Sequence, residues 1–202
     1  MKSGLDRARV LAKTAPADYA KHKRAAEASV VRWEWATKPR FHPAPAHFET
    51  LKLSRGKKLA AEPRPWKAAQ AHEGFDREGR IVVSRERTAV RGDSYETFYF
   101  YEPGGIAQLH YNSGGGWIHA GWHTLKAGRV VASDSLSQLG GSSREYEYDA
   151  HGRVTRCVAH GVHADKPWEQ TFAYDHAGDK LAHVWFVWPD GRRVVHWQRR
   201  KR

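Results

Sequence analysis

One short pattern recurs through the C-terminal two thirds of the chain: an aromatic residue, an acid, two free positions and a glycine. An acid at the start of a turn can accept hydrogen bonds from the backbone two residues on, and a glycine three positions later tolerates a positive φ. Each copy therefore predicts a tight turn. The predicted turn residues of four copies are Asp76 and Gly79, Glu102 and Gly105, Asp149 and Gly152, and Asp175 and Gly178.

The spacing of the copies indicates a repeat protein. A degenerate copy ends at Gly128, and with it the five turn glycines recur about every 25 residues. Stretches of strand-forming residues flank each turn, so each unit predicts a β-hairpin, and Pro189-Asp190-Gly191 predicts one more turn. The expected fold is mainly β: an antiparallel meander of about five hairpin repeats, or about ten strands, with an N-terminal α-helix.

Aromatic residues occupy the positions one and three residues before the turn acid in three of the copies. Because side chains alternate between the faces of a strand, all of these rings are expected on one face of the sheet. We predict that they form core rather than an exposed binding platform. The six residues are Tyr99, Tyr101, Tyr146, Tyr148, Phe172 and Tyr174.

The N-terminal third has a different character. Apolar residues at helical spacing predict an amphipathic helix from Thr14 to about Trp35, and three prolines between positions 39 and 45 end it. The chain is thus expected to divide into four parts. These are a basic helical arm at 1–36, a proline-containing linker at 37–71 that includes an edge strand near His47 to Leu53, the repeat domain at 72–198, and a basic tail at 199–202.

The formal net charge of +12 is concentrated in the arm, the linker and the tail, which leaves the repeat domain close to neutral. No apolar run is long enough to cross a membrane, and the first residues lack the apolar stretch of a signal peptide. The lone Cys157 excludes an intramolecular disulfide and is typical of a reducing compartment. A cytoplasmic location is the expectation.

The stretch Tyr148-Asp149-Ala150-His151-Gly152-Arg153-Val154 resembles the YD repeat of the Rhs and teneurin families, whose units read Tyr-Asp-x-x-Gly-Arg-Leu. The resemblance covers about residues 72–198. Proteins of that family build a large shell from many strands and often end in a toxin domain. Five units are too few for a shell, so the resemblance implies a short stand-alone module. It also implies non-enzymatic protein binding, as an immunity-type or accessory partner in a bacterial toxin system.

Two other functions remain open on the sequence. The basic stretch from Arg7 to Lys67 could contact the phosphates of a nucleic acid, although an acidic protein partner would explain the same charges. A glycine-rich stretch, Gly114 to His123, is interpreted as a loop that could bind a small ligand or a carbohydrate. Its expected contacts are Trp117, His119, Trp122 and His123.

Residue types that bind metals occur at Cys157, His160 and His163, which we place at a strand end and the following loop. A closed zinc site would show a second tight pair of ligands, and none is obvious, so a small buried thiol and loop histidines are the favoured interpretation. No third group marks Cys157 and His160 as a nucleophile and base. The sequence therefore predicts no catalytic residues, no metal and no cofactor.

Overall fold

The computed structural model of the chain describes residues 3–199. Helix α1 (Gly4–Ala28) begins at Ser3, whose hydroxyl accepts from the N–H of Asp6 while the Asp6 carboxylate accepts from the N–H of Ser3. This reciprocal pair is a capping box. The predicted helix from Thr14 to Trp35 is wrong at both ends, because the capping box starts the helix earlier and a strand begins at Arg32.

Thirteen strands form one antiparallel sheet, and a short helix lies between the first two of them. That helix is α2 (His47–Thr50), where an edge strand was expected. The strands are β1 (Arg32–Ala36), β2 (Lys58–Leu59), β3 (Ala71–Phe75), β4 (Ile81–Arg87), β5 (Ser94–Glu102), β6 (Gly105–Tyr111), β7 (Trp117–Lys126), β8 (Arg129–Ser137), β9 (Gly140–Tyr148), β10 (Val154–His163), β11 (Lys166–Ala177), β12 (Lys180–Val187) and β13 (Arg193–Gln198).

The sheet confirms the predicted class, a mainly β antiparallel meander with one N-terminal helix. Strands β3 to β13 follow one another in chain order, and β1 lies between β3 and β2 at the opposite edge from β13. The strand count exceeds the expected ten because segments 1–36 and 37–71 also contribute strands to the sheet.

Two of the predicted turns have the expected geometry. Gly79 and Gly152 adopt φ values of 75° and 78°, in the left-handed region that favours glycine. The Asp149 carboxylate accepts from the backbone N–H groups of His151 and Arg153, each at 2.9 Å. The Asp76 carboxylate likewise accepts from the backbone N–H of Arg80, so both carboxylates organise their turns, as the spacing of acid and glycine predicts.

The other two predicted turns are right only in part: Gly178 is a turn residue with a positive φ of 58°, as predicted, whereas Gly105 and Asp175 lie outside their turns. The hairpin after β5 closes on two residues, so Gly104 takes the positive φ of 83° while Gly105 already lies in β6, where a Cβ would overlap Trp122. The hairpin after β11 likewise turns at Gly178 and the next residue, which leaves Asp175 in the strand, accepting from Trp185 Nε1 at 2.6 Å. Two-residue hairpins need no acid before the turn, and this explains both shifts.

A repeated contact links successive units of the meander. Tyr101 OH donates to the carbonyl of Ile81 at 3.1 Å, and Tyr148 OH donates to the carbonyl of Val130 at 2.5 Å. In each case the arginine that precedes the accepting residue lies over the tyrosine ring. The tyrosine before the turn acid therefore joins neighbouring repeats as well as filling the core.

Each face of the sheet has a cover, although α1 reaches only β4 to β8 on its face. Helix α1 lies on one face, over Phe98, Leu109 and Ala120, all fully buried. Residues 37–57, which we call the strap, cross the other face. Four of the six rings predicted as core are at most 7% exposed there, and Tyr101 and Tyr148 are half-buried; the buried rings are those of Tyr99, Tyr146, Phe172 and Tyr174.

Ion pairs and hydrogen bonds hold both covers in place. The Glu96 carboxylate accepts from Tyr19 OH at 2.6 Å and from Lys23 Nζ at 2.9 Å on α1. On the other face Glu73, which is fully buried, accepts from the backbone N–H of Arg40 at 2.8 Å and from its guanidinium at 2.5 Å. Within residues 3–199 no helix combines the length and the apolar character that crossing a bilayer requires.

Candidate functional site

A cavity of about 170 Å³ lies between the strap and strands β6 to β9. The strap contributes His42, Ala44 and His47, and the sheet contributes polar side chains from four strands; these include Gln108, His119, His123, Ser133, Ser142 and Arg144. A second cavity of about 300 Å³ adjoins it, because four residues line both; the shared residues are His42, His47, Gln108 and His119. Four histidines thus meet at one place.

The register of the sheet explains why space remains there. Gly121, Ser135 and Ser142 are aligned across β7, β8 and β9, so small side chains face the strap in three successive strands. In the neighbouring row His123, Ser133 and Arg144 are aligned in the same way. The small side chains of the first row leave the cavity unfilled, and the side chains of the second row line one side of the cavity with groups that can form hydrogen bonds.

The sheet histidines belong to a chain of hydrogen bonds with a defined direction. His123 Nε2 lies 2.8 Å from Gln108 Oε1, which can only accept, so Nε2 carries the proton. His123 Nδ1 must then accept from Ser133 Oγ at 2.9 Å. The Gln108 amide nitrogen donates to His119 Nε2 at 3.4 Å, so the ring proton of His119 lies on Nδ1.

The strap adds two further imidazoles. The rings of His42 and His47 stack with their centroids 3.4 Å apart, and the edge of His42 meets His123 with centroids 5.5 Å apart. His42 Nδ1 accepts from the backbone N–H of Ala44 at 3.1 Å, which leaves the proton on Nε2. His47 Nδ1 is buried and has no hydrogen-bond partner among residues 3–199.

All four imidazoles are neutral at pH 7. Burial lowers the pKa of His123 and of His47 to about 3 and that of His119 to about 4. Burial also lowers the pKa of His42 well below its usual range, with the neighbouring imidazoles and the Arg144 guanidinium adding to the effect. The charged form of a histidine loses its hydration in this cavity, and nearby positive charge disfavours it further.

Arg144 supplies the positive charge of the cavity. No Asp or Glu oxygen among residues 3–199 lies within 4.0 Å of its guanidinium nitrogens, whereas Arg156 on the next strand pairs with Glu147 at 2.7 Å. Asp134 belongs to the cavity wall, but its carboxylate lies on the helix face, near Thr124. The half-buried guanidinium therefore faces the histidines without a neutralising carboxylate.

The prediction that Gly114 to His123 forms a ligand-binding loop is wrong, because most of this stretch is a strand. Trp117–Lys126 is strand β7, in which alternation separates Trp122 from His119 and His123, and a register shift between His119 and Trp117 separates Trp117 from them as well. His119 and His123 line the cavity. Trp122 lies on the helix face, where Arg7 stacks on it at 4.4 Å, and Trp117 packs into the helix-side core.

Sequence reasoning missed His42, His47, Gln108 and Arg144. One signal was available for Arg144. It lies two residues before Tyr146 and four before Tyr148 in β9, so its side chain must share their face. The strap offered no such signal. It contains only the short helix α2, so its sequence has no regular spacing from which the direction of His42 or His47 could be predicted.

The metal candidates do not converge. Cys157, His160 and His163 all lie in β10, and the odd spacing of the first two puts them on opposite faces. Burial raises the pKa of the Cys157 thiol to about 11, so it is a protonated core group at pH 7. In the described range 3–199 no three His, Cys, Asp or Glu side chains are arranged to hold a metal ion.

A second candidate surface is the edge formed by β13. Among residues 3–199 this strand ends the sheet and is paired along one side only, with β12. Val194 and Val195 are each 49% exposed and project to opposite faces, and Trp188 beside them is also exposed. An apolar edge strand with one open side is a template for pairing with another chain.

Comparisons with known proteins give little further guidance. No family model and no curated protein matches the chain. Among solved structures, a porin-like protein from Bacteroides vulgatus is similar at 10% sequence identity with a TM-score of 0.45, covering 64% of this chain and 77% of that one.

Proposed function

We propose that this protein is a non-enzymatic protein-binding module that takes up an extended segment of a partner along β13. The observation that carries the proposal is the open side of β13 at the end of the sheet, where Val194 and Val195 are each 49% exposed. Strand addition at such an edge gains affinity from main-chain hydrogen bonds and specificity from alternate side chains.

The chemistry of the edge favours an acidic partner. Arg193 begins the strand with Arg192 directly before it, and the sequence from Arg199 to Arg202 follows the strand. A second copy of β13 would bring these like charges together, so self-pairing is disfavoured. A segment that alternates apolar residues with Asp or Glu would match both Val194 and the arginines.

The sequence resemblance supplies the biological setting of the proposal. Repeating turns at Asp76 and Asp149, and the tyrosine contacts that join the units, support a relationship to YD repeats. On that basis the partner is a toxin or accessory protein of a bacterial Rhs-type system, and this chain acts as its immunity-type partner. The lone buried Cys157 fits action in the cytoplasm.

The test uses the product of the adjacent reading frame as the partner. We expect it to bind the purified protein in a calorimetric titration, and Val195→Glu to weaken binding by about tenfold because it repels an acidic strand. Val162→Glu is the matched control, since Val162 is 45% exposed on an interior strand. Equal losses in both variants, or no binding at all, would contradict the proposal.

Nucleic-acid binding by the N-terminal region is the alternative, and the ion pairs weigh against it. Several of the basic residues that motivated it are neutralised within the fold: Lys23 by Glu96, Arg40 by Glu73, and Lys58 by Glu34. If the alternative holds, the full-length protein will be retained on heparin with a steep dependence on salt, and charge removal on α1 at Lys13 and Arg24 will abolish retention.

A further inference from the structure

We propose that the cavity under the strap is a binding site for a small oxyanion, the carboxylate or phosphate group of a small molecule, with Arg144 as its principal ligand. This site lies beneath the strap and is separate from the β13 edge. The inference does not depend on the protein-binding proposal.

The first argument is the balance of charge. Arg144 lies at a cavity wall with no carboxylate within 4.0 Å among residues 3–199, although other half-buried arginines such as Arg40 and Arg85 are paired with acids. An unpaired guanidinium in partly dry surroundings is costly unless a bound anion compensates it. A guanidinium also matches the planar, two-oxygen geometry of carboxylate and phosphate.

The second argument is the orientation of the other polar groups. Because His42 Nδ1 accepts from Ala44 N–H, its Nε2–H remains a donor at the cavity. Because His119 Nε2 accepts from Gln108, its Nδ1–H is a donor as well. Together with the hydroxyl of Ser142, these groups make the wall rich in N–H and O–H donors, which is what an oxyanion requires.

The same facts disfavour a cation. A metal ion would be repelled by Arg144, and no set of three metal-ligating side chains is arranged for coordination in residues 3–199.

The dimensions set the class of ligand. At about 30 Å³ per water molecule, 170 Å³ holds on the order of five waters, or one phosphate or short carboxylic acid. The adjoining cavity of about 300 Å³ is walled by Phe41, Phe48, Leu53 and Tyr99. A carboxylate with a short apolar tail would therefore occupy both, with its tail beside those side chains.

The experiment titrates inorganic phosphate and, separately, hexanoate into the purified full-length protein and follows the heat of binding. We expect saturable binding at millimolar concentration, about tenfold weaker in Arg144→Gln because two charge-assisted hydrogen bonds are lost. Arg156→Gln, which removes an arginine from the opposite face one strand away, is the matched control and should bind as the unmodified protein does.

A second variant protects the test against a folding defect in the first. Ser142→Ala removes the hydroxyl donor without adding bulk at the cavity wall, so it should also weaken binding while the circular dichroism spectrum stays unchanged. Tighter binding of hexanoate than of phosphate would identify an organic carboxylate with an apolar tail, and the reverse order would identify phosphate. Absence of saturable binding by both anions, or equal weakening by Arg156→Gln, would overturn the proposal.

Discussion

Acidification should destabilise the fold through the buried histidines, and His123 gives the clearest case. Its side chain is 4% exposed and its pKa is lowered to about 3, against 6.5 for an ordinary histidine. The unfolded chain therefore binds the proton first, so stability is lost as pH falls through 6.5 toward the lowered pKa. Between about pH 7.5 and pH 5.5 this single group removes about 1.4 kcal/mol of unfolding free energy.

The surroundings of His123 all act in the same direction. His47 and His119 add buried imidazoles whose pKa values are lowered to about 3 and about 4, and the Arg144 guanidinium disfavours a proton on His123 from β9. His42, edge-on to His123, behaves likewise. The loss for the whole protein should therefore exceed the contribution of His123 alone.

The assay is urea unfolding at the two pH values, compared between the unmodified protein and His123→Gln. Glutamine keeps a donor toward Gln108 but cannot titrate, so the fall in unfolding free energy should be smaller by about 1.4 kcal/mol in the variant. His151→Gln, at an exposed turn, should leave the fall unchanged. If His123→Gln loses as much stability on acidification as the unmodified protein, the imidazole is not buried and neutral, and the reasoning fails.

Three further variants test the covers and the corrected hairpin by chemical denaturation. Glu73→Gln should cost about 3 kcal/mol, because it removes the buried carboxylate that pairs with Arg40 Nε and leaves Glu34 as the acid paired with that guanidinium. Tyr174→Phe should cost about 1 kcal/mol through the 3.1 Å hydrogen bond to Thr50 that fastens the strap. Gly105→Ala should cost more than 1 kcal/mol because its Cβ would overlap Trp122. An unchanged denaturation midpoint would indicate that Gly105 lies in the turn and not in β6.

Much of the fold could be predicted from the sequence because the same turn and strand pattern recurs along the chain. An acid and a glycine three residues apart specify the turns at Asp76 and Asp149, and alternation then assigns the faces of the strands around them. The same logic misassigned Gly105 and Asp175, since a hairpin that closes on two residues has a different requirement from one organised by a carboxylate. Strand β1 was not predicted because Trp33 also fits the helical spacing of Ala26 and Val30 before it.

The cavity was only half readable, and the reason is sequence distance. His119 and His123 are four residues apart in β7, an even spacing, so the strand alone places them on the same face. Their partners on the strap, His42 and His47, lie more than 70 residues away in a segment without periodicity. Which face the strap crosses depends on the ion pair between Arg40 and Glu73, which no local pattern predicts.

The two covers restrict where recognition can occur. Helix α1 packs on one face of β4 to β8 and the strap packs on the other face of the sheet, so these broad surfaces are used for stability. The covers leave open the edge strand β13 and the space that the strap does not fill above Gly121 and Ser135. The edge offers main-chain groups and so suits a peptide strand, whereas the cavity offers Arg144 among neutral donors and suits an anion. Because the two lie on different parts of the fold, Val195→Glu and Arg144→Gln should each impair one kind of binding and leave the other intact.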